Sequence, residues 1–214
     1  MPVKFIRKIN KDIVLGLWEI TEDIECFLSE LYLTEKEIEK LNSFVNENRK
    51  KHWLAYRILI DKMLNNNKHY EIEYDDFGKP FLKDSDNYIS VTHTGKYAAV
   101  IISKILSVGV DIEKITSRIL KVKNKFLNKR ELNSSEKENT LECLYVYWCS
   151  KEAVYKLYGK RNLDFRENIF IKEFSISPKG KAEGIIKNDI IEKKVNLFFE
   201  LFDEHVLVYA IDWK

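Results

Sequence analysis

Residues 107–115 read SVGVDIEKI, and this stretch at the middle of the chain limits the fold more than any other. As a strand, it carries Val108, Val110 and Ile112 on one face. Its two-residue period then sets Asp111 and Glu113 side by side on the other, after a side-chain-free Gly109. Two carboxylates that close raise each other's pKa unless a cation is held between them, so the pattern suits a hard metal ion. The same spacing also describes a half-exposed strand with a solvated acidic face.

A chain of 214 residues, 45% hydrophobic and 13% aromatic, can build one large domain or two small fused ones around a real core. The opening MPVKFIRKINKD has no apolar leader, and no apolar run approaches the ~18 residues of a membrane span, so a soluble cytoplasmic protein without a membrane partner is expected. Cys26, Cys143 and Cys149 form no C-x-x-C, which argues against a disulfide scaffold or zinc knuckle. A formal charge of +2 is too balanced for a duplex-DNA binder.

The first half opens with a strand over 13–20. A helix starts at Thr34, where Thr-Glu-Lys-Glu has the capping-box order and Ile38, Leu41 and Val45 supply an apolar stripe. A second helix spans 49–64, with Trp53, Leu54, Ile58, Leu59 and Met63 inward, and ends at Asn65-Asn66-Asn67. Strands follow at 70–74, 79–82, 88–92 and 97–102, parted by turns such as Gly78-Lys79-Pro80 and Thr94-Gly95.

The second half repeats the plan. The central strand leads into helical segments at 119–127 and 141–158, then into strands at 173–177, 182–187, 195–202 and 205–211, with a turn at Pro178-Lys179-Gly180. A pseudo-duplicated, two-lobed α+β fold is expected, each lobe an antiparallel sheet packed with helices. The lobes would divide as 1–106 and 107–214, with Asp111 close to the seam.

Helix 141–158, LECLYVYWCSKEAVYKLY, is apolar nearly all round, yet holds Glu152 and Lys156 one turn apart. Glu152 shares a stripe with Leu141, Tyr145 and Trp148, where an unpaired carboxylate would cost several kcal/mol. Its partner is either Lys156, in a surface pair worth ~0.3 to 0.5 kcal/mol, or a cation shared with Asp111 and Glu113. Ser90, Thr92 and Thr94 line one face of a strand end beside His93, a group able either to hydrogen-bond a phosphate or to cap the turn. Neither glycine-rich phosphate cradle, G-x-G-x-x-G nor G-x-x-x-x-G-K-[ST], occurs.

Four blocks in this order carry a resemblance: Gly78-Lys79-Pro80, Ser90 to Thr94, Gly109-x-Asp111-Ile112-Glu113, and Trp148-x-x-Lys151-Glu152-Ala153 with Lys156. The chain resembles the 4′-phosphopantetheinyl transferases of the long, two-lobed Sfp type. The resemblance implies Asp111, Glu113 and Glu152 as Mg²⁺ ligands, with Mn²⁺ able to substitute, and Lys156 at the pyrophosphate of coenzyme A. It puts Thr92 and His93 at the phosphates and Gly78, Lys79 and Pro80 at the adenine end. Arg49 and Arg57, in RKKHWLAYR, match an arginine-bearing helix of some members. Glu131 matches a further acid without a clear role. Thr92 and Thr94 replace serines, and Cys149 is a departure just after Trp148.

The implied reaction moves the phosphopantetheine arm of coenzyme A to a serine of an apo acyl or peptidyl carrier protein and releases 3′,5′-ADP. Lys156 would stabilise the leaving oxygen, and Glu152 or a metal-bound water would take the serine proton. The basic stretch 121–130, KVKNKFLNKR, suits an acidic carrier-protein helix or a solvated face. A monomer is expected. Two alternatives use the same residues differently: a Mg²⁺-dependent phosphodiesterase or nuclease, and a non-catalytic carrier-protein-binding module, which would need no acidic triad.

Overall fold

The computed structural model describes residues 3–65 and 69–212. A six-stranded antiparallel sheet is built from β1 (Val3–Lys8), β2 (Ile13–Glu19), β3 (Ile72–Tyr74), β4 (Pro80–Leu82), β5 (Tyr88–Thr94) and β6 (Tyr97–Ser103), in the order β1-β2-β6-β5-β4-β3. Between β2 and β3 run α1 (Ile24–Glu30), α2 (Glu35–Asn42) and α3 (Glu47–Leu64). A five-stranded antiparallel sheet follows from β7 (Val108–Lys114), β8 (Ile169–Ile171), β9 (Lys179–Lys187), β10 (Glu192–Phe202) and β11 (His205–Asp212), in the order β7-β11-β10-β9-β8. Its helical insertion holds a 3₁₀ turn at Ser117–Lys121, then α4 (Lys123–Phe126), α5 (Lys129–Glu138) and α6 (Leu141–Tyr158).

The expected duplication is visible in the pairing. In each half a strand leads into helices, four strands return, and the last pairs beside the first. The order β2-β6-β5-β4-β3 thus repeats as β7-β11-β10-β9-β8, with β1 an added edge.

Strand alternation stacks these parts in four layers. Trp18, Ala98, Val100 and Ile102 face α3, while Leu15, Leu17, Tyr97, Ala99 and Ile101 meet the second sheet. Val108, Val110, Ile112, Leu207 and Tyr209 complete that middle core, and Val206, Val208 and Ala210 turn the other way onto α6. The face of β7 carrying Asp111 and Glu113 is therefore the α6 face. Gly109 permits the contact: a Cβ there would lie 1.9 Å from the Ala153 carbonyl oxygen of α6.

Local chemistry fixes the helices that matter. Thr34 and Glu37 form the expected capping box at the start of α2. Thr140 accepts from Cys143 N at the start of α6, and Gly159, at φ 69°, ends it. Asn65 closes α3 in the left-handed region; Asn66 and Asn67 lie outside the described residues.

Several expectations need correction. Of the apolar stripe expected for α2 only Leu41 is buried: Ile38 is exposed, Val45 is exposed beyond the helix end, and Glu37 is buried in their place. Glu37 turns inward to accept from Arg57 Nε at 3.1 Å and to meet His69 Nε2 at 2.9 Å. Residues 173–177 form no strand. The chain leaves the ladder after Ile171, whose N–H goes to Glu131, and Phe174 anchors the irregular segment 5.6 Å from the ring of Phe199. The helical segment expected at 119–127 is present, as a 3₁₀ turn and a short α4 cut off from α5 by the Asn128 cap. Strand β9 already begins within the expected turn at Lys179. Elements β1, α1, α5 and β8 lie outside the expected segments.

Candidate active site

A cavity of about 610 Å³ opens where the two sheets meet, and Asp111, Glu113, Glu152 and Lys156 line it from the second half of the chain. Strand β7 supplies the first two carboxylates by alternation. Helix α6 supplies the third, Glu152, together with Lys156, because i and i+4 share a face. Lys156 Nζ reaches across to Asp111 Oδ1 at 2.7 Å and to the Val110 carbonyl at 3.1 Å, so its ion pair is with β7. From the first sheet, Thr92 Oγ1 donates to the same Asp111 oxygen at 3.0 Å. The other oxygen, Oδ2, is buried and has no hydrogen-bond partner among the described residues.

This arrangement concentrates negative charge out of water. Burial, then the charge of Asp111, pushes the Glu113 carboxyl up to about 7. Burial and Asp111 likewise raise Glu152. Among the described residues no three His, Cys, Asp or Glu side chains stand in a ready ligating cluster. The donor set nevertheless suits a hard dication: three carboxylates open on one cavity, one with an orphaned buried oxygen, and an all-oxygen set favours Mg²⁺ over softer metals.

The opposite wall is cationic and aromatic. Lys40, Arg49 and His93 line it together with Phe44, Trp53, Tyr56 and Tyr74, and Thr92 lines the cavity from its bond to Asp111. Arg49 lies 4.7 Å above the ring of Phe44. His93 is exposed as a residue, yet one ring face stacks on His52 at 4.3 Å and 11°, while His52 Nε2 meets the Gly95 carbonyl at 2.7 Å. Loss of water around the ring, then the charges of His52, Lys156 and Arg49, lower the His93 pKa, which favours a neutral imidazole. Ser90 differs from its neighbours. It is buried, and its Oγ accepts from Val110 N at 3.1 Å, binding the two sheets together.

Gly78, Lys79 and Pro80 line a smaller cavity of about 230 Å³ that shares Tyr74, Val91 and Lys156 with the first. The Lys79 ammonium itself turns to the seam, donating to Ser107 Oγ at 3.0 Å and to the Leu157 carbonyl at 2.9 Å near the end of α6. Arg57 is not brought to the acidic cavity. Its guanidinium is 3% exposed, paired with Glu37 and stacked 3.3 Å over Trp53, on the wall of a groove of about 690 Å³ that shares Lys40, Trp53 and Tyr74 with the acidic cavity. Sequence reading missed Lys40 and Tyr74; the i, i+4 spacing of Lys36 and Lys40 on a capped helix was the available signal.

Residues 107–210 match the model of the 4′-phosphopantetheinyl transferase superfamily. The chain is 27% identical over 119 residues to the 4′-phosphopantetheinyl transferase gsp of Aneurinibacillus migulanus, covering 50% of this chain and 49% of that protein. It is 24% identical over 150 residues to the 4′-phosphopantetheinyl transferase Sfp of Bacillus subtilis (strain 168), covering 65% of each. The chain thus spans about half to two thirds of the length of these relatives. The matched stretch, residues 107–210, carries Asp111, Glu113, Glu152 and Lys156, and both relatives point to the same superfamily of 4′-phosphopantetheinyl transferases.

Proposed function

We propose that this chain is a transferase of the Sfp type. It moves the 4′-phosphopantetheine arm of coenzyme A to a serine of an apo acyl or peptidyl carrier protein and releases 3′,5′-ADP. The observation that carries this reading is the convergence of Asp111, Glu113, Glu152 and Lys156 on one cavity whose far wall is cationic and aromatic. In this proposal 1–106 and 107–214 are the two lobes of a cytoplasmic monomer.

Coenzyme A is a polyanion joined to a flat base, and each wall matches one part of it. Arg49 and His93 offer donors to phosphates while Thr92 gives its one hydroxyl proton to Asp111; Lys40 adds a charge, and Tyr74 with Trp53 offers ring faces to the base. Gly78, Lys79 and Pro80 shape the adjoining recess with backbone and stem, while the ammonium of Lys79 keeps the recess tied to α6. Arg57 supports the wall from behind through Trp53.

Asp111, Glu113 and Glu152 would hold Mg²⁺, which when bound supplies positive charge against the pyrophosphate. Lys156 adds a second positive charge beside it and orients Asp111. The acceptor serine oxygen attacks the phosphorus next to pantetheine, a serine O–P bond forms, and the P–O bond to 3′,5′-ADP breaks. Glu152, whose carboxylate opens on the cavity, takes the serine proton. The basic residues Lys121, Lys123, Lys125, Lys129 and Arg130 steer an acidic acceptor toward this side. Mass spectrometry of apo carrier protein incubated with coenzyme A, Mg²⁺ and the chain tests the proposal. A gain of one phosphopantetheine is expected, and no gain would refute it.

A further inference from the structure

Glu131 and Lys151 form an ion pair that the transfer chemistry leaves unused. Lys151 is 0% exposed on α6, one residue before Glu152, and Glu131 is 2% exposed on α5. The three N–H groups of Lys151 have three acceptors: Glu131 Oε2 at 2.7 Å, the Phe165 carbonyl at 2.7 Å and the Ile169 carbonyl at 2.6 Å. Glu131 is equally engaged. Its Oε2 accepts from Asn128 N at 3.0 Å, and its Oε1 accepts from Ile171 N at 2.8 Å. One pair thereby fastens the start of α5, the middle of α6 and the backbone of 165–171.

The fastened segment is the wall of a groove. Leu163, Asp164 and Phe165 face Phe126, Trp148 and Glu152 across a cavity of about 450 Å³. The ring of Phe165 lies 5.7 Å from that of Trp148. Glu152 belongs to this groove and to the acidic cavity alike. Lys40, Arg49 and His93 line the acidic cavity and not this groove, whereas Lys125 of the basic stretch lines the groove. Burying two charges is an inefficient way to gain stability, since an apolar pair of similar size often does as well. What the pair uniquely provides is a fixed position for the Phe165 and Ile169 carbonyls.

We propose that Lys151, with Glu131 as counter-ion, is a positioning residue for the acceptor side of the site. It sets the width of the groove through which the serine-bearing segment of the acceptor approaches Glu152. This rests on the transferase reading above. The test replaces both charges at once, in Glu131→Leu with Lys151→Met, so that neither is left unpaired. The double variant should bind coenzyme A within about twofold of the parent by calorimetry, while its KM for apo carrier protein rises at least tenfold and kcat falls less. In hydrogen exchange, amides of 163–171, Ile171 first, should exchange at least tenfold faster, with those of 53–60 in α3 unchanged. An unchanged acceptor KM with 163–171 still protected, or equal losses for coenzyme A and acceptor, would overturn the proposal. Should the double variant not fold, Glu131→Gln, which keeps the shape and removes the counter-charge, gives the same comparison. A parent inactive on carrier protein defeats the transferase reading alone; exchange rates then decide, supporting the clamp if 163–171 opens and overturning it if not.

Discussion

Thr92 in the first sheet donates to Asp111 in the second at 3.0 Å, so the residue that anchors the acidic cavity is held by both halves of the chain. The site therefore depends on how closely β7 lies between β5 and α6.

That closeness can be tested at Gly109. A methyl group there would sit 1.9 Å from the Ala153 carbonyl oxygen and 2.8 Å from Leu157 N, both backbone atoms that cannot yield alone. Gly109→Ala should cost about 3 kcal/mol or more in urea unfolding. A loss under about 1 kcal/mol would mean that α6 is not seated on β7 as described.

The acidic cluster makes a prediction that needs no turnover. Mg²⁺ at about 100 times its dissociation constant should stabilise the parent by about 2.7 kcal/mol. Glu113→Gln should lose most of that gain. Without Mg²⁺ the variant should be as stable as the parent or slightly more so, since a carboxylate raised to about 7 by burial and by Asp111 is relieved. Equal stabilisation of both proteins by Mg²⁺ would remove Glu113 from the ligand set.

Much of this geometry was legible in the sequence. The two-residue period of SVGVDIEKI put Asp111 and Glu113 on one face, and Thr140 with Gly159 bounds α6 at the ends that its apolar run suggested. The fold class and the repeated element order were legible for the same reason. Short helices were not: α1 and α5 are set by single caps, Asp23 and Asn128, rather than by apolar periodicity. The Asn128 to Glu131 spacing was a usable signal. Nothing local announced that Glu37 would be buried, because its partners Arg57 and His69 lie 20 and 32 residues away. Lys79 likewise finds Leu157 only through the packing of the two halves.

His93 separates two ways of holding coenzyme A. If its imidazole donates to the 3′-phosphate, His93→Ala should weaken coenzyme A about tenfold or more while changing dephospho-coenzyme A by less than twofold. Equal weakening of both ligands would place the ring elsewhere.

The Glu37 cluster predicts how stability varies with pH. His69 lies between Asp61 and Glu37, at 3.0 and 2.9 Å, and only an imidazolium donates from both nitrogens. Hydrogen bonds to Asp61 and Glu37 raise it from 6.5 to about 9. Burial works to raise Glu37, but hydrogen bonds from His69 and Thr34 and the charge of Arg57 outweigh it and hold the carboxyl at about 2, below its ordinary 4.5. The raised group stabilises fully below pH 6.5 and loses its contribution as pH rises through about 9. The lowered group stabilises above pH 4.5 and loses its share as pH falls through about 2. Between pH 6 and 10 the parent should lose on the order of 1 to 2 kcal/mol more than His69→Gln, allowing for solvent at the ring. Parallel stability profiles would contradict the cluster.

The central claim is transfer, with Glu152 as the proton acceptor. Apo acyl carrier protein should be incubated with saturating coenzyme A, Mg²⁺ and either the parent or Glu152→Gln, and its intact mass followed over time. The parent should add one phosphopantetheine per carrier protein, and Glu152→Gln should still bind coenzyme A but be slower by at least about 100-fold. No mass gain with the parent, or an equal rate with Glu152→Gln, would contradict it.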